Sequence, residues 1–206
     1  MVPQRMGSRL PADALLLIRH GQTSDNAAGL ILGRRDPPLS DTGRTQAERL
    51  AEELRDLPIA AVWTSPLRRA RETARIVAAA HALDPIVCDE LIESDRGRWE
   101  GVAIAQLAQD EPALHAAFLR GDPDFCFPGG ESLRGQRDRT RAALTQVNAG
   151  ALPAAVVAHA GTVRAALALA GRPVGPESAL PHGSVAACLR AGELESLARG
   201  GGVIDP

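Results

Sequence analysis

With 206 residues, 45% of them hydrophobic, the chain has the size of one compact domain that buries roughly 70% of its unfolded surface without a metal or disulfide staple. Its 23 basic and 25 acidic residues leave a formal net charge of −2, which argues against the basic surface of a nucleic-acid or anionic-membrane binder; aromatics at 2% and no tyrosine argue against a base-stacking platform. Every basic residue is arginine, so any anion site must be built from guanidinium groups.

In chain order, residues 1–13 read as a loose terminus. Residues 14–18 are a continuous apolar run, the pattern of a strand buried on both faces, too short for a signal-peptide core or a membrane span. Ser40 then caps a helix whose apolar stripe is Ala47, Leu50, Ala51 and Leu54. Residues 60–64 read as a second buried strand. Ser65 followed by Pro66 predicts a helix start there, with Leu67, Ala70, Ala74 and Val77 inward and Arg69 on the wet side.

Glycine and proline punctuate an insertion-like segment at about 97–131, expected over the site, with one or two helices at 103–120 broken at Pro112. A helix at 133–147 leads to another apolar run at 154–158 and a helix at 162–170. Residues 184–189 and 194–197 read as closing edge strands, and 199–206 as a loose end. The alternation predicts an α/β fold, a three-layer α/β/α sandwich with a mostly parallel central sheet, in one domain over 1–206. Cys88, Cys126 and Cys188 are odd in number and lack metal-ligand spacing, which suits a reduced, cytoplasmic protein. A homodimer is left open.

In open α/β sheets ligands sit beyond the carboxyl ends of the strands. The first strand runs into Arg19, His20 and Gly21, the second into Ser65 and a helix start bearing Arg68 and Arg69, and the 154–158 strand into His159, Ala160 and Gly161. Two histidines, arginines, small residues and helix N-termini at one sheet end describe a phosphate pocket. Taken singly, each residue has a plainer reading: a histidine after a strand is usually structural, and the run of arginines after Ser65 fits a solvated helix face. Their joint occurrence favours the pocket.

These residues also carry a resemblance. LIRHGQTSDN at 17–26 is similar to the RHG(E/Q)TxxN signature of the histidine phosphatase, or phosphoglycerate-mutase-like, superfamily. PLSDTG at 38–43, SPLRRARETA at 65–74, ESDRGRWEG at 93–101, PGGES at 128–132 and VAHAG at 157–161 resemble further family motifs in the family's order. The resemblance implies that His20 accepts the phosphoryl group, that Arg19, Arg69 and His159 bind its oxygens, and that Glu93 is the proton donor. Thr23 and Asn26 would supply further phosphate and orientation contacts; Arg34 and Arg35, on a loop, read either as plain surface arginines or as reaching a phosphate or carboxylate of substrate. Arg68 stays on the solvent face and Glu100 is structural. No metal and no cofactor are implied.

The chain departs from the pattern at Asp25, Leu32 and Arg96, where the family often has tryptophan, a polar residue and an aromatic residue. The expected activity is metal-independent hydrolysis of a small phosphorylated metabolite, as in the family's α-ribazole-phosphate and sugar-phosphate phosphatases. The family's mutases are longer, whereas this chain ends soon after Leu197. Mutase-type phosphoryl transfer and a noncatalytic phospho-ligand binder are the alternatives.

Overall fold

The computed structural model describes residues 10–173, 175 and 179–193. In chain order the elements are β1 (Ala14–Arg19), α1 (Ser24–Ala27), α2 (Asp41–Leu54), β2 (Ala61–Thr64), α3 (Arg68–Ala79), β3 (Ile86–Val87), α4 (Ile104–Asp110), α5 (Pro112–Arg120), α6 (Leu133–Asn148), β4 (Ala154–Ala158), α7 (Ala160–Leu169) and β5 (Ser184–Arg190). The strands form one sheet in the order β3-β2-β4-β1-β5. All neighbours are parallel except β5, which runs antiparallel to β1 along the edge.

Side chains alternate across a strand, so β1 feeds two cores. Leu15 and Leu17 pack with Leu144, Val147, Val163 and Leu167 of α6 and α7. Leu16 and Ile18 pack with Leu50, Leu54, Ala74 and Val77 of α2 and α3. This is the three-layer α/β/α sandwich, and its parallel strands bring β1, β2 and β4 to a common carboxyl end. No helix among the described residues is long and apolar enough to cross a membrane.

Several expectations shift. The helix expected to start at Ser65 begins at Arg68, with Leu67 as its uncapped N-cap; the Ser65 hydroxyl accepts from Leu67 N–H at 3.3 Å, too early to cap it. β3 escaped notice because it is two residues long and exposes both side chains, 43% at Ile86 and 48% at Val87, leaving no apolar pattern. The terminus expected to be loose up to residue 13 is tied down at its end: Leu10 packs on the core and Asp13 pairs with Arg190 at 2.8 Å. Residues 1–9, the strand expected at 194–197 and the end at 199–206 lie outside the described residues.

The middle segment builds an apolar cluster of its own from Trp99, Leu107, Phe125 and Phe127, with Phe118 against it. These include four of the chain's five aromatic residues.

The turn after β1 is clasped by α2. Ser40 donates its N–H (2.9 Å) and hydroxyl (3.1 Å) to the Gln22 carbonyl and caps α2 by accepting from Gly43 N–H at 3.1 Å. The two backbones approach so closely that a Cβ on Gly43 would stand 2.0 Å from the Gln22 oxygen. Helix propensity alone would make Gly43→Ala stabilising by about 1 kcal/mol; the close approach predicts the opposite sign, a loss of about 1–3 kcal/mol. Urea unfolding decides between them, because an unchanged or raised midpoint would mean the clasp is loose.

Candidate active site

At the common carboxyl end, His20 follows β1 and His159 follows β4, their ring centroids 5.1 Å apart. Both are buried, at 3% and 1% exposure. His20 N–H continues the parallel ladder by donating to Ala158 O at 3.0 Å. Its Nδ1 lies 2.7 Å from the Gly21 carbonyl, which only accepts, so Nδ1 carries the proton and Nε2 keeps its lone pair. Arg69 Nε donates to that Nε2 at 3.2 Å. His159 Nε2 lies 2.7 Å from Ser65 Oγ, which also accepts from Leu67 N–H at 3.3 Å, and His159 Nδ1 is buried without a hydrogen-bond partner.

Arg69, expected on the wet side by periodicity, is 1% exposed. Because α3 starts only at Arg68, Arg69 occupies its first turn, against the sheet end and the 33–35 loop. There NH1 donates to Arg35 O (2.6 Å) and NH2 to Gly33 O (2.9 Å), so carbonyls replace water around the guanidinium. Arg19 donates from NH1 to Leu180 O at 2.5 Å and from NH2 to His182 Nε2 at 2.6 Å, while its Nε is buried and unpartnered.

Glu93 reaches the same end from an irregular segment and is 6% exposed. Its Oε2 accepts from Gly161 N–H (3.0 Å) and its Oε1 from Ser94 N–H (2.8 Å) and Gln136 Nε2 (2.7 Å), with Arg96 NH2 at 3.8 Å. Gly161 must lack a side chain, since a Cβ there would lie 2.3 Å from Glu93 Oε1.

The remaining expected residues are engaged otherwise. Thr23 and Asn26 form a capping box on α1: Thr23 Oγ accepts from Asn26 N–H at 3.2 Å, and Asn26 Oδ1 accepts from Thr23 N–H at 3.2 Å. Arg34 is 43% exposed and faces Asp95 at 3.7 Å and Glu131 at 3.8 Å. Arg68 is exposed and bonded to Glu72, and Glu100 accepts from the backbone N–H groups of Arg34 and Arg96.

Sequence reasoning missed His182 and Gln136. Because β5 is antiparallel, the residues before it begin at the carboxyl end of β1, and recognising that direction would have brought His182 into view. Gln136 carried no such signal, being one polar residue in a helix of many.

A sequence model of the histidine phosphatase superfamily (branch 1) matches residues 15–190. The chain belongs to this superfamily. Among relatives, this histidine phosphatase superfamily member is 39% identical over 171 residues to a bifunctional protein of Mycobacterium tuberculosis, covering 82% of the chain and 47% of that protein. It thus spans about half the length of that relative. It is 38% identical over 128 residues to a probable phosphoglycerate mutase of Salmonella choleraesuis, covering 62% and 60%. Among solved structures, a mycobacterial glucosyl-3-phosphoglycerate phosphatase superposes with a TM-score of 0.76 at 33% identity, covering 84% of this chain and 89% of that one.

The electrostatics of this candidate site favour neutral imidazoles. Burial first, then His159, Arg69 and Arg19, push His20 well below the usual imidazole range. Burial, then Arg69 and Arg19, do the same to His159, and burial with Arg19 lowers His182 to about 4. Burial opposes ionisation of Glu93, but Arg96, the Ser94 and Gly161 N–H groups and Arg69 outweigh it and hold the carboxyl below its ordinary value.

Histidines with lowered folded values take up protons in the unfolded chain before the folded one. Stability is therefore complete above about pH 6.5 and falls as pH drops, by up to about 1.4 kcal/mol per pH unit for each such histidine. Glu93, lowered as a carboxyl, adds its loss only below the ordinary carboxyl range. Urea unfolding at pH 7, 6 and 5 should show the decline, and His159→Asn should flatten it; a level wild-type profile over that range would contradict the buried neutral pair.

Proposed function

We propose that residues 15–190 act as one histidine phosphatase domain that hydrolyses phosphomonoesters of small metabolites through a phosphohistidine on His20, using no metal or cofactor. The observation that carries this reading is the Nδ1–H to Gly21 carbonyl bond of His20, which leaves a buried neutral imidazole whose unprotonated Nε2 accepts from the Arg69 guanidinium, a donor that the phosphoryl oxygens would draw away. Such a nucleophile divides a difficult displacement into two easier ones.

In the first step Nε2 bonds to phosphorus as the ester P–O bond breaks, and Glu93 delivers its proton to the departing alkoxide. In the second, water attacks the phosphorus, Glu93 takes back a proton, and the P–N bond electrons return to Nε2. Arg19, Arg69 and His159 hold the phosphoryl oxygens, where catalysis is mostly positioning and charge stabilisation. Supporting this, Arg19 Nε and His159 Nδ1 are buried polar atoms without partners, a condition that an anion relieves. A phosphate dianion also opposes the pull of Arg96 and Arg69 on Glu93 and so favours its protonated form. Thr23 and Asn26 orient the turn that carries His20, and Arg34 meets substrate at the rim. A cytoplasmic setting accords with the three free cysteines.

The likeness to a probable phosphoglycerate mutase supports a second reading, phosphoryl transfer back to substrate. Supplying 3-phosphoglycerate with a bisphosphoglycerate primer separates the two, since interconversion faster than phosphate release from any substrate would favour the mutase.

Rapid quenching with labelled p-nitrophenyl phosphate should trap an acid-labile, base-stable adduct in wild-type protein and none in His20→Ala. No label under single-turnover conditions, or label persisting in the variant, would refute the assignment.

For Glu93→Gln, single-turnover phosphoryl transfer from an alkyl phosphate should slow by about 10²–10⁴. Transfer from p-nitrophenyl phosphate should slow less, because nitrophenolate leaves with little help. Equal losses on both substrates would reduce Glu93 to a structural residue.

A further inference from the structure

The two oxygens of the Glu93 carboxyl are not equivalent. Oε1 accepts from Ser94 N–H at 2.8 Å, from the Ser94 hydroxyl at 3.2 Å and from Gln136 Nε2 at 2.7 Å, with Arg96 NH2 beyond them at 3.8 Å. Among the described hydrogen bonds, Oε2 accepts only from Gly161 N–H, at 3.0 Å. An ionised carboxyl offers about four lone-pair sites, roughly two on each oxygen. Oε1 is therefore filled, and Oε2 keeps a site open.

Gln136 is built into this arrangement. It is 2% exposed, its N–H donates to Ser132 O at 3.0 Å in the first turn of α6, and its carbonyl accepts from Thr140 Oγ1 at 2.8 Å. A Cβ on Gly161 would stand 2.6 Å from Gln136 Nε2 as well as 2.3 Å from Glu93 Oε1, so both side chains lie against bare backbone at the start of α7. The charges that act on Glu93 are guanidinium groups: Arg96 on its own segment, Arg69 on α3, Arg19 at the end of β1 and Arg164 on α7. They oppose protonation of the carboxyl as a whole, and the hydrogen bonds decide which oxygen takes a proton. A proton entering at Oε1 would require a buried donor to turn away, whereas one entering at Oε2 displaces nothing.

We propose that Glu93 carries its transferable proton on Oε2, and that Gln136 is the positioning residue that keeps Oε1 closed to it. The proposal rests on the reading of Glu93 as proton donor and deepens it. In phosphoryl transfer the O–H bond at Oε2 breaks as the departing alkoxide oxygen takes the proton, and in hydrolysis the attacking water returns a proton to the same oxygen. The leaving group is thereby confined to the Oε2 side of the carboxyl. The Ser94 hydroxyl can rotate from donor to acceptor. Without Gln136, Oε1 would become available and the acid would lose its single orientation.

Glu93→Gln freezes the choice, because its amide reproduces the acid with NH2 in place of the O–H. Gly161 N–H lies in the first turn of α7, where no carbonyl of the helix accepts from it, so its protection depends on Glu93. Amide hydrogen exchange at neutral pH should show Gly161 losing protection by about tenfold or more in Glu93→Gln, while Ser94 N–H keeps its own. Loss at Ser94 instead, or equal behaviour at the two amides, would overturn the Oε2 assignment. Gln136→Met keeps the length of the side chain and removes the donor. Single-turnover transfer to His20 should then slow about tenfold from an alkyl phosphate and less from p-nitrophenyl phosphate, with no further loss when Gln136→Met is added to Glu93→Gln. Equal slowing of the two esters, or none, where Glu93→Gln does discriminate between them, would overturn the role of Gln136 alone. The exchange pattern needs no turnover. If it is as expected but Glu93→Gln slows both esters equally, the oxygen assignment stands and only the reading of Glu93 as proton donor falls. If Glu93→Gln does not fold, the Gln136→Met comparison decides.

Discussion

The carboxyl end of the sheet depends on one buried carboxylate. Glu93 is the only acidic residue among the buried polar and charged side chains of the described structure. Its charge supports the protonated forms of Arg19, Arg69, Arg96 and Arg164. Buried charges are tolerated when paired and hydrogen-bonded, and removing one partner leaves the rest uncompensated. Neutral imidazoles add no further positive charge to this cluster. The place of Glu93 is in turn set by Gly161 N–H at the start of α7 and by Gln136 on α6, so the packing of those two helices on β1 and β4 governs where the cations can gather.

Much of this was legible in the sequence because it follows from local rules. The apolar runs of β1 and β4 have no polar residue to place, so they had to be strands covered on both sides, and a parallel sheet fixes which end collects the chemistry. Ser40 caps the helix that follows it, as its composition predicts. The failures at Ser65 and Arg69 have a common cause, since each residue answered to something distant in sequence. Ser65 has the composition of a cap, but its hydroxyl accepts from Leu67 ahead of the helix and partners a histidine 94 positions away. Arg69 has the period of a solvated residue, but its surroundings are carbonyls of a loop 34 and 36 positions away. Motif order brought His20, His159 and Glu93 to notice; the Thr23–Asn26 capping box is a local pattern that motif order passes over, whereas Arg34 faces two carboxylates distant in sequence.

The scarcity of aromatic residues acquires a structural meaning in the middle segment. Trp99, Phe118, Phe125 and Phe127 are gathered with centroid separations of 5.1 to 6.0 Å, and all six pairs are tilted or edge-on. Aromatic side chains contribute large buried areas and defined geometry, which lets a glycine-punctuated segment hold a shape. Arg96 lies over two of these rings, Phe118 and Phe127, so that a guanidinium caps the aromatic cluster.

The antiparallel edge strand gives the site a thermodynamic dependence that the other strands do not. The segment leading into β5 supplies the Leu180 carbonyl and His182 ring that hold Arg19, and Gly183 N–H donates to the carbonyls of both Arg19 and His20 at 3.0 Å. Edge elements open locally at free energies below that of global unfolding. When this edge frays, Arg19 loses two of its anchors in the same event, so the fraction of molecules with that guanidinium correctly held is set by a local opening equilibrium, and warming would disarm the site before the core melts.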